Sequence, residues 1–78
     1  MKAKFYVESR VNVHVPGGRE WALYVSLDGG SPWVVATWAK SPAIKTVEET
    51  IKVVVRSFEI YHRAIRLPVY SVDYEFLP

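Results

Sequence analysis

Residues Thr46–Arg66 carry the one helical period in the chain. Val47, Ile51, Val54, Phe58, Tyr61 and Ile65 recur at spacings of 4, 3, 4, 3 and 4. That spacing places them on one stripe of an amphipathic helix. Thr46, followed three residues later by Glu49, reads as a capping box that opens the helix. Pro68 stands just past the end, where a helix cannot continue. Every other segment reads as strand or turn, so the apolar sides of all the strands must be buried against this single stripe.

The segment 3–15 alternates. Ala3, Phe5, Val7, Ser9, Val11, Val13 and Val15 point one way; Lys4, Tyr6, Glu8, Arg10, Asn12 and His14 point the other. Period two over this length is a half-buried strand. Pro16-Gly17-Gly18 reads as a hairpin turn, because glycine reaches the positive φ that tight hairpins need. With a three-residue loop, Val13 faces Trp21, Val11 faces Leu23 and Ser9 faces Val25. On the other side His14 meets Glu20 and Arg10 meets Tyr24. The second strand is Glu20–Leu27. After the turn Asp28-Gly29-Gly30-Ser31-Pro32 comes a third strand, Trp33–Ala39. Pro42 stops that ladder, and a fourth strand follows the helix at Val69–Phe76.

The fold class expected is α+β: β-β-β-α-β, a four-stranded mixed sheet in the order 3-2-1-4, with one helix packed on one face. The three N-terminal strands form an antiparallel meander. A right-handed crossover through the helix lays strand four beside strand one. One helix covers one face only, so the face carrying Tyr6, Arg10 and Tyr24 is left open. Trp33 and Trp38 are five residues apart, and in a regular strand an odd separation sends them to opposite sides. One tryptophan therefore belongs to the open face unless a bulge intervenes.

Composition narrows the function. The 78 residues are enough for one domain, 1–78, and half of them are hydrophobic, which excludes a disordered chain. There is no cysteine, so disulfides and thiolate metal sites are excluded. A formal charge of +2 permits an anionic partner without requiring one. No stretch is long and apolar enough to span a membrane, and no apolar leader follows Met1. The expectation is a cytoplasmic protein with no membrane association. The absence of glutamine and the single Asn12 point to a thermophilic source.

No catalytic, cofactor or metal constellation emerges. Glu8, Glu20, Asp73 and Glu75 fall on the open side, but they read as solvated or paired charges. His14 and His62 sit on different elements with no ligand-spaced partner. What remains is the open face itself, where Lys4, Tyr6, Arg10, Tyr24 and one of Trp33 and Trp38 interleave aromatic and basic groups. Small domains stack nucleic-acid bases on such surfaces.

The strand order, together with Thr46-Val47-Glu48-Glu49-Thr50 at the helix start, resembles HicB-like antitoxin domains, whose helix commonly opens Thr-Leu-Glu-Glu-Ala after three strands. The chain departs from that pattern at Ala39-Lys40-Ser41-Pro42-Ala43, where the family has Pro-Asp-Leu-Pro-Gly after its second strand. The resemblance implies a non-catalytic protein that binds a small RNA-cleaving toxin. The sequence reading is thus a small non-catalytic binding module, without cofactor or metal, that binds nucleic acid through Lys4, Tyr6, Arg10, Tyr24, Trp33 and Trp38. The alternative is a protein-interaction module, antitoxin-like or a structural subunit, using the same face or the strand-three edge. A homodimer is expected in either case.

Overall fold

The computed structural model describes residues 1–64 and 72–77, with side chains placed for 1–61 and 72–77. The elements are β1 (Lys2–Val11), β2 (Arg19–Leu27), β3 (Trp33–Trp38), α1 (Ile44–Ala64) and β4 (Asp73–Leu77). The sheet order is β3-β2-β1-β4, as expected. β1 is antiparallel to β2 and parallel to β4, and β2 is antiparallel to β3. Among the described residues no helix is long and apolar enough to cross a membrane.

The core lies between the sheet and α1. Phe5, Leu23 and Val25 are fully buried, and Ala3, Val47, Ile51, Val55 and Val72 nearly so. Burying each large side chain contributes about 1.5–3 kcal/mol relative to leaving it exposed. Phe5 also meets Tyr74 edge to face, with ring centroids 6.2 Å apart.

The helix departs from its sequence reading in two respects. It opens at Ile44, with the amide of Val47 donating to the carbonyl of Ala43 at 3.1 Å. Thr46 therefore lies inside the first turn and caps nothing; its carbonyl accepts the Thr50 hydroxyl instead. The buried line runs Val47, Ile51, Val55 and Phe58, with Val54 alongside, while Tyr61 is 62% exposed. Twenty-one helical residues span about 31 Å at about 1.5 Å each, close to the roughly 33 Å of the ten-residue β1 at about 3.3 Å each. The expected contribution of Ile65, the helix end at Arg66, Pro68 and the start of strand four at Val69 lie outside the described residues.

The first hairpin is also different. β1 stops at Val11, which pairs with Arg19, so Asn12–Gly18 forms a longer loop than the three residues expected. Asn12 organises it: its side-chain oxygen accepts the His14 amide at 3.0 Å and its carbonyl accepts the Val15 amide at 3.2 Å. Gly17 and Gly18 then take φ of 84° and 71°, the left-handed region that glycine enters without strain. As a result Phe5 faces Val25, Val7 faces Leu23 and Ser9 faces Trp21. The slip from the expected register is four residues. An even slip keeps every side chain on its assigned face, but Val11 and Val13 are left 67% and 79% exposed.

Candidate interaction face

Strand alternation and the cross-strand registers together define the face away from α1. Tyr6 pairs with Tyr24, Tyr24 with Val34, and Tyr6 with Leu77. Val34, Tyr24, Tyr6 and Leu77 therefore form one apolar row across all four strands. The tyrosine rings stack nearly parallel, 10° apart with centroids at 5.1 Å. On one side of the row Glu75, Lys4 and Ser26 follow in register, then Asp73 and Lys2. On the other side come Glu8, Ala22 and Thr37, then Arg10 and Glu20. The arrangement is an apolar centre between two polar margins.

The margin at Arg10 is built. Glu20 is 5% exposed although it sits on the open face. Its two carboxylate oxygens accept from Asn12 Nδ2 at 2.7 Å and from Arg10 Nε at 2.8 Å. The hydrogen bond from Asn12 first, then that from Arg10, hold the Glu20 carboxyl below the usual carboxylate range, against the opposing pull of burial. The same Glu20 bond raises the Arg10 guanidinium further above its ordinary value. On the other margin Lys4 Nζ lies 3.9 Å from Glu75 Oε1, and both side chains are more than half exposed. Such a pair stabilises little.

Four of the six residues expected on this face are there: Lys4, Tyr6, Arg10 and Tyr24. Trp33 and Trp38 are not, which corrects the parity reading. β2 and β3 shift register between Leu23 and Tyr24, so Val35 is an extra, unpaired residue. With the bulge counted, Trp33 opposes Val25 and Trp38 opposes Trp21, both on the helix side. Trp33 meets Phe58 of α1 at a centroid distance of 6.3 Å, and Trp38 packs on the core. The bulge also blunts the β3 edge. The expected facing of Arg10 and Tyr24, and of His14 and Glu20, is replaced by Arg10 opposite Glu20.

Sequence reasoning missed Val34, Leu77 and Ala22 as parts of this face, and it placed Asn12 on this side without its bonds to Glu20 and the loop. Val34 and Leu77 become legible only when the registers of β3 and β4 are known. A signal for Asn12 was available: an Asn just before a Pro-Gly-Gly turn suits an Asx-type loop closure.

The four carboxylates expected on the open side are there. The face holds Lys2, Lys4 and Arg10 against Glu8, Glu20, Asp73 and Glu75. The positive charge of the whole chain, +2, is therefore carried by other surfaces. Among the described residues no three His, Asp or Glu side chains converge to hold a metal ion. A cleft of about 210 Å³ at the start of α1 is lined by Val7, Trp21, Pro42, Val47, Phe76 and Leu77 among others, and among the described residues no titratable side chain borders it. Comparison with protein-family models, with curated proteins and with solved structures returned no match.

Proposed function

We propose that this protein is a non-catalytic interaction module that binds another protein through the open face of its sheet. The observation that carries this reading is the row Val34–Tyr24–Tyr6–Leu77 with polar rows on either side. Protein interfaces have this anatomy, an apolar and tyrosine-rich centre with a polar rim. Nucleic-acid binding, the first reading from sequence, fits the face less well. Carboxylates there outnumber cations, whereas binding to phosphates requires a surplus of Lys and Arg. Tyr6 and Tyr24 spend one ring face on each other, and base stacking needs free ring faces. The resemblance to HicB-like domains points to a protein partner as well.

The test is a photo-crosslinking residue placed at Val34, with a control at Val53 on the outer side of α1, which is 67% exposed. Adducts from position 34 that are digested by protease, and absent from position 53, are the expected result. Adducts from position 34 that are removed by nuclease would return the face to nucleic acid.

A further inference from the structure

We infer that the occupant of the open face is a second copy of this chain, packed face to face about a twofold axis that runs along the strands between β1 and β2. This rests on the protein-binding reading above and names its partner. The argument comes from what each row meets when the sheet is turned onto itself. A twofold axis along the strands keeps a residue's height on the sheet and exchanges β1 with β2 and β4 with β3. The cross-strand registers then give the contacts directly.

Tyr6 comes to lie over Tyr24 of the second copy, and Leu77 over Val34, so the apolar row covers its own image. Arg10 lies over Glu20 of the second copy. Lys4 lies over Ser26. Glu8 falls over Ala22, an uncharged position, with the Thr37 hydroxyl next in that row. Lys2, whose amide donates to Asp28 Oδ1 within its own chain at 2.8 Å, lies over Asp28 of the other. No like charges superimpose in this arrangement. A twofold axis across the strands does worse: it sets Lys2 against Arg10. A twofold contact must be self-complementary, and the hairpin register makes this face so along one axis only.

The packing is ordinary for sheets. Two sheets stack about 10 Å apart with strands nearly aligned. Four strands about 4.8 Å apart and some 25 Å of strand bury about 500 Å² per copy, roughly 1,000 Å² in all, which is at the low end for a specific interface. A reversible dimer in the micromolar range follows.

Two exposed positions test the geometry without touching the core. Ser26→Lys places a lysine over Lys4 of the second copy and is expected to weaken self-association about tenfold, the factor for about 1.4 kcal/mol. Lys4→Glu alone leaves a glutamate over Ser26. An equimolar mixture of the two variants brings the introduced glutamate of one copy over the introduced lysine of the other. That mixture is expected to dimerise more tightly than either variant by itself. Because mixing changes no contact within a chain, the rescue reports only on contacts between copies. Sedimentation velocity on wild type, each variant and the mixture is the measurement. A wild type that stays monomeric up to several hundred micromolar, or a mixture no tighter than its components, would overturn the second copy as occupant. The crosslink at position 34 would still decide whether a different protein binds there.

Discussion

On the helix side of the sheet Phe5, Leu23 and Val25 are fully excluded from solvent, while their neighbours in sequence on the open side, Tyr6 and Tyr24, are only half-buried. The same strands supply both faces, one residue apart. On the helix side, branched and aromatic side chains from four strands converge on Val47, Ile51 and Val55 of α1. On the open side a single row is apolar, and everything above and below it is charged, small or hydroxylated. One face is built to be closed within the chain. The other has too narrow an apolar centre to hold a second layer of its own, yet more than solvent alone calls for.

The largest expected effect breaks or confirms this asymmetry. Phe5→Ala removes a fully buried ring and should cost about 3–5 kcal/mol, against a total stability of about 5–15 kcal/mol. Tyr6→Ala, the next residue, loses one stacked partner and should cost about 1 kcal/mol. Urea melts of both variants check this. Equal losses would mean that the faces are not energetically distinct.

Next in size is the bulge. Deleting Val35 removes the bulge and leaves Trp33 and Trp38 four residues apart, so strict alternation keeps both facing α1. The loss of Val35's own packing against the core should cost about 1–3 kcal/mol. Acrylamide quenching of single-tryptophan variants should leave both rings on the helix side, and a ring newly accessible after the deletion would show that Val35 is not the extra residue. In the intact chain Trp33, 43% exposed, should quench more than Trp38, and neither should respond to an occupant of the open face.

How much of this was legible follows from what each inference needed. Strand count, sheet order and the face assignment of Phe5, Leu23, Tyr6 and Tyr24 rest on period two and on one helical stripe, both local in sequence. The bulge at Val35 is not local. Val34, Val35 and Ala36 are all small and apolar, so no side-chain pattern marks which one is extra. The hairpin slip has a similar origin, since Val11, Val13 and Val15 continue the alternation past the point where Asn12 closes the loop. Tyr61 fits the stripe yet is 62% exposed, because a stripe alone cannot say which of its residues the sheet covers. On the open face, aromatic and basic residues were visible early. Their neutralisation by Glu20 and Glu75 required the register.

A third prediction concerns acid. The folded structure holds the Glu20 carboxyl below its unfolded value, near the usual carboxylate pKa of about 4.3. A group depressed in this way adds stability above its unfolded pKa, and that stability is lost as pH falls through the folded value. Wild type should therefore lose melting temperature as pH falls below about 4.3. Glu20→Gln cannot titrate there, so its melting temperature should be lower at neutral pH and fall less on acidification. Parallel curves for the two proteins would show that the Asn12–Glu20–Arg10 network does not order the margin of the open face.

The smallest effect on folding sharpens the comparison most. Val34 is half-buried at one end of the apolar row. Threonine has its shape and an equal preference for strands, so Val34→Thr should change monomer stability by no more than about 0.5 kcal/mol. A hydroxyl in place of a methyl group at a contact with Leu77 of another copy is different, because it removes apolar burial worth about 0.8 kcal/mol per group. Two such contacts occur in a twofold dimer, so the loss should be about 1.5 kcal/mol, roughly tenfold in the dimer constant. Thermal melts at low concentration and sedimentation at high concentration measure the two quantities separately. If association is unchanged while the monomer is destabilised, Val34 belongs to the fold and the row ends at Tyr24. The reverse outcome would show a residue that the monomer hardly uses and the second face requires.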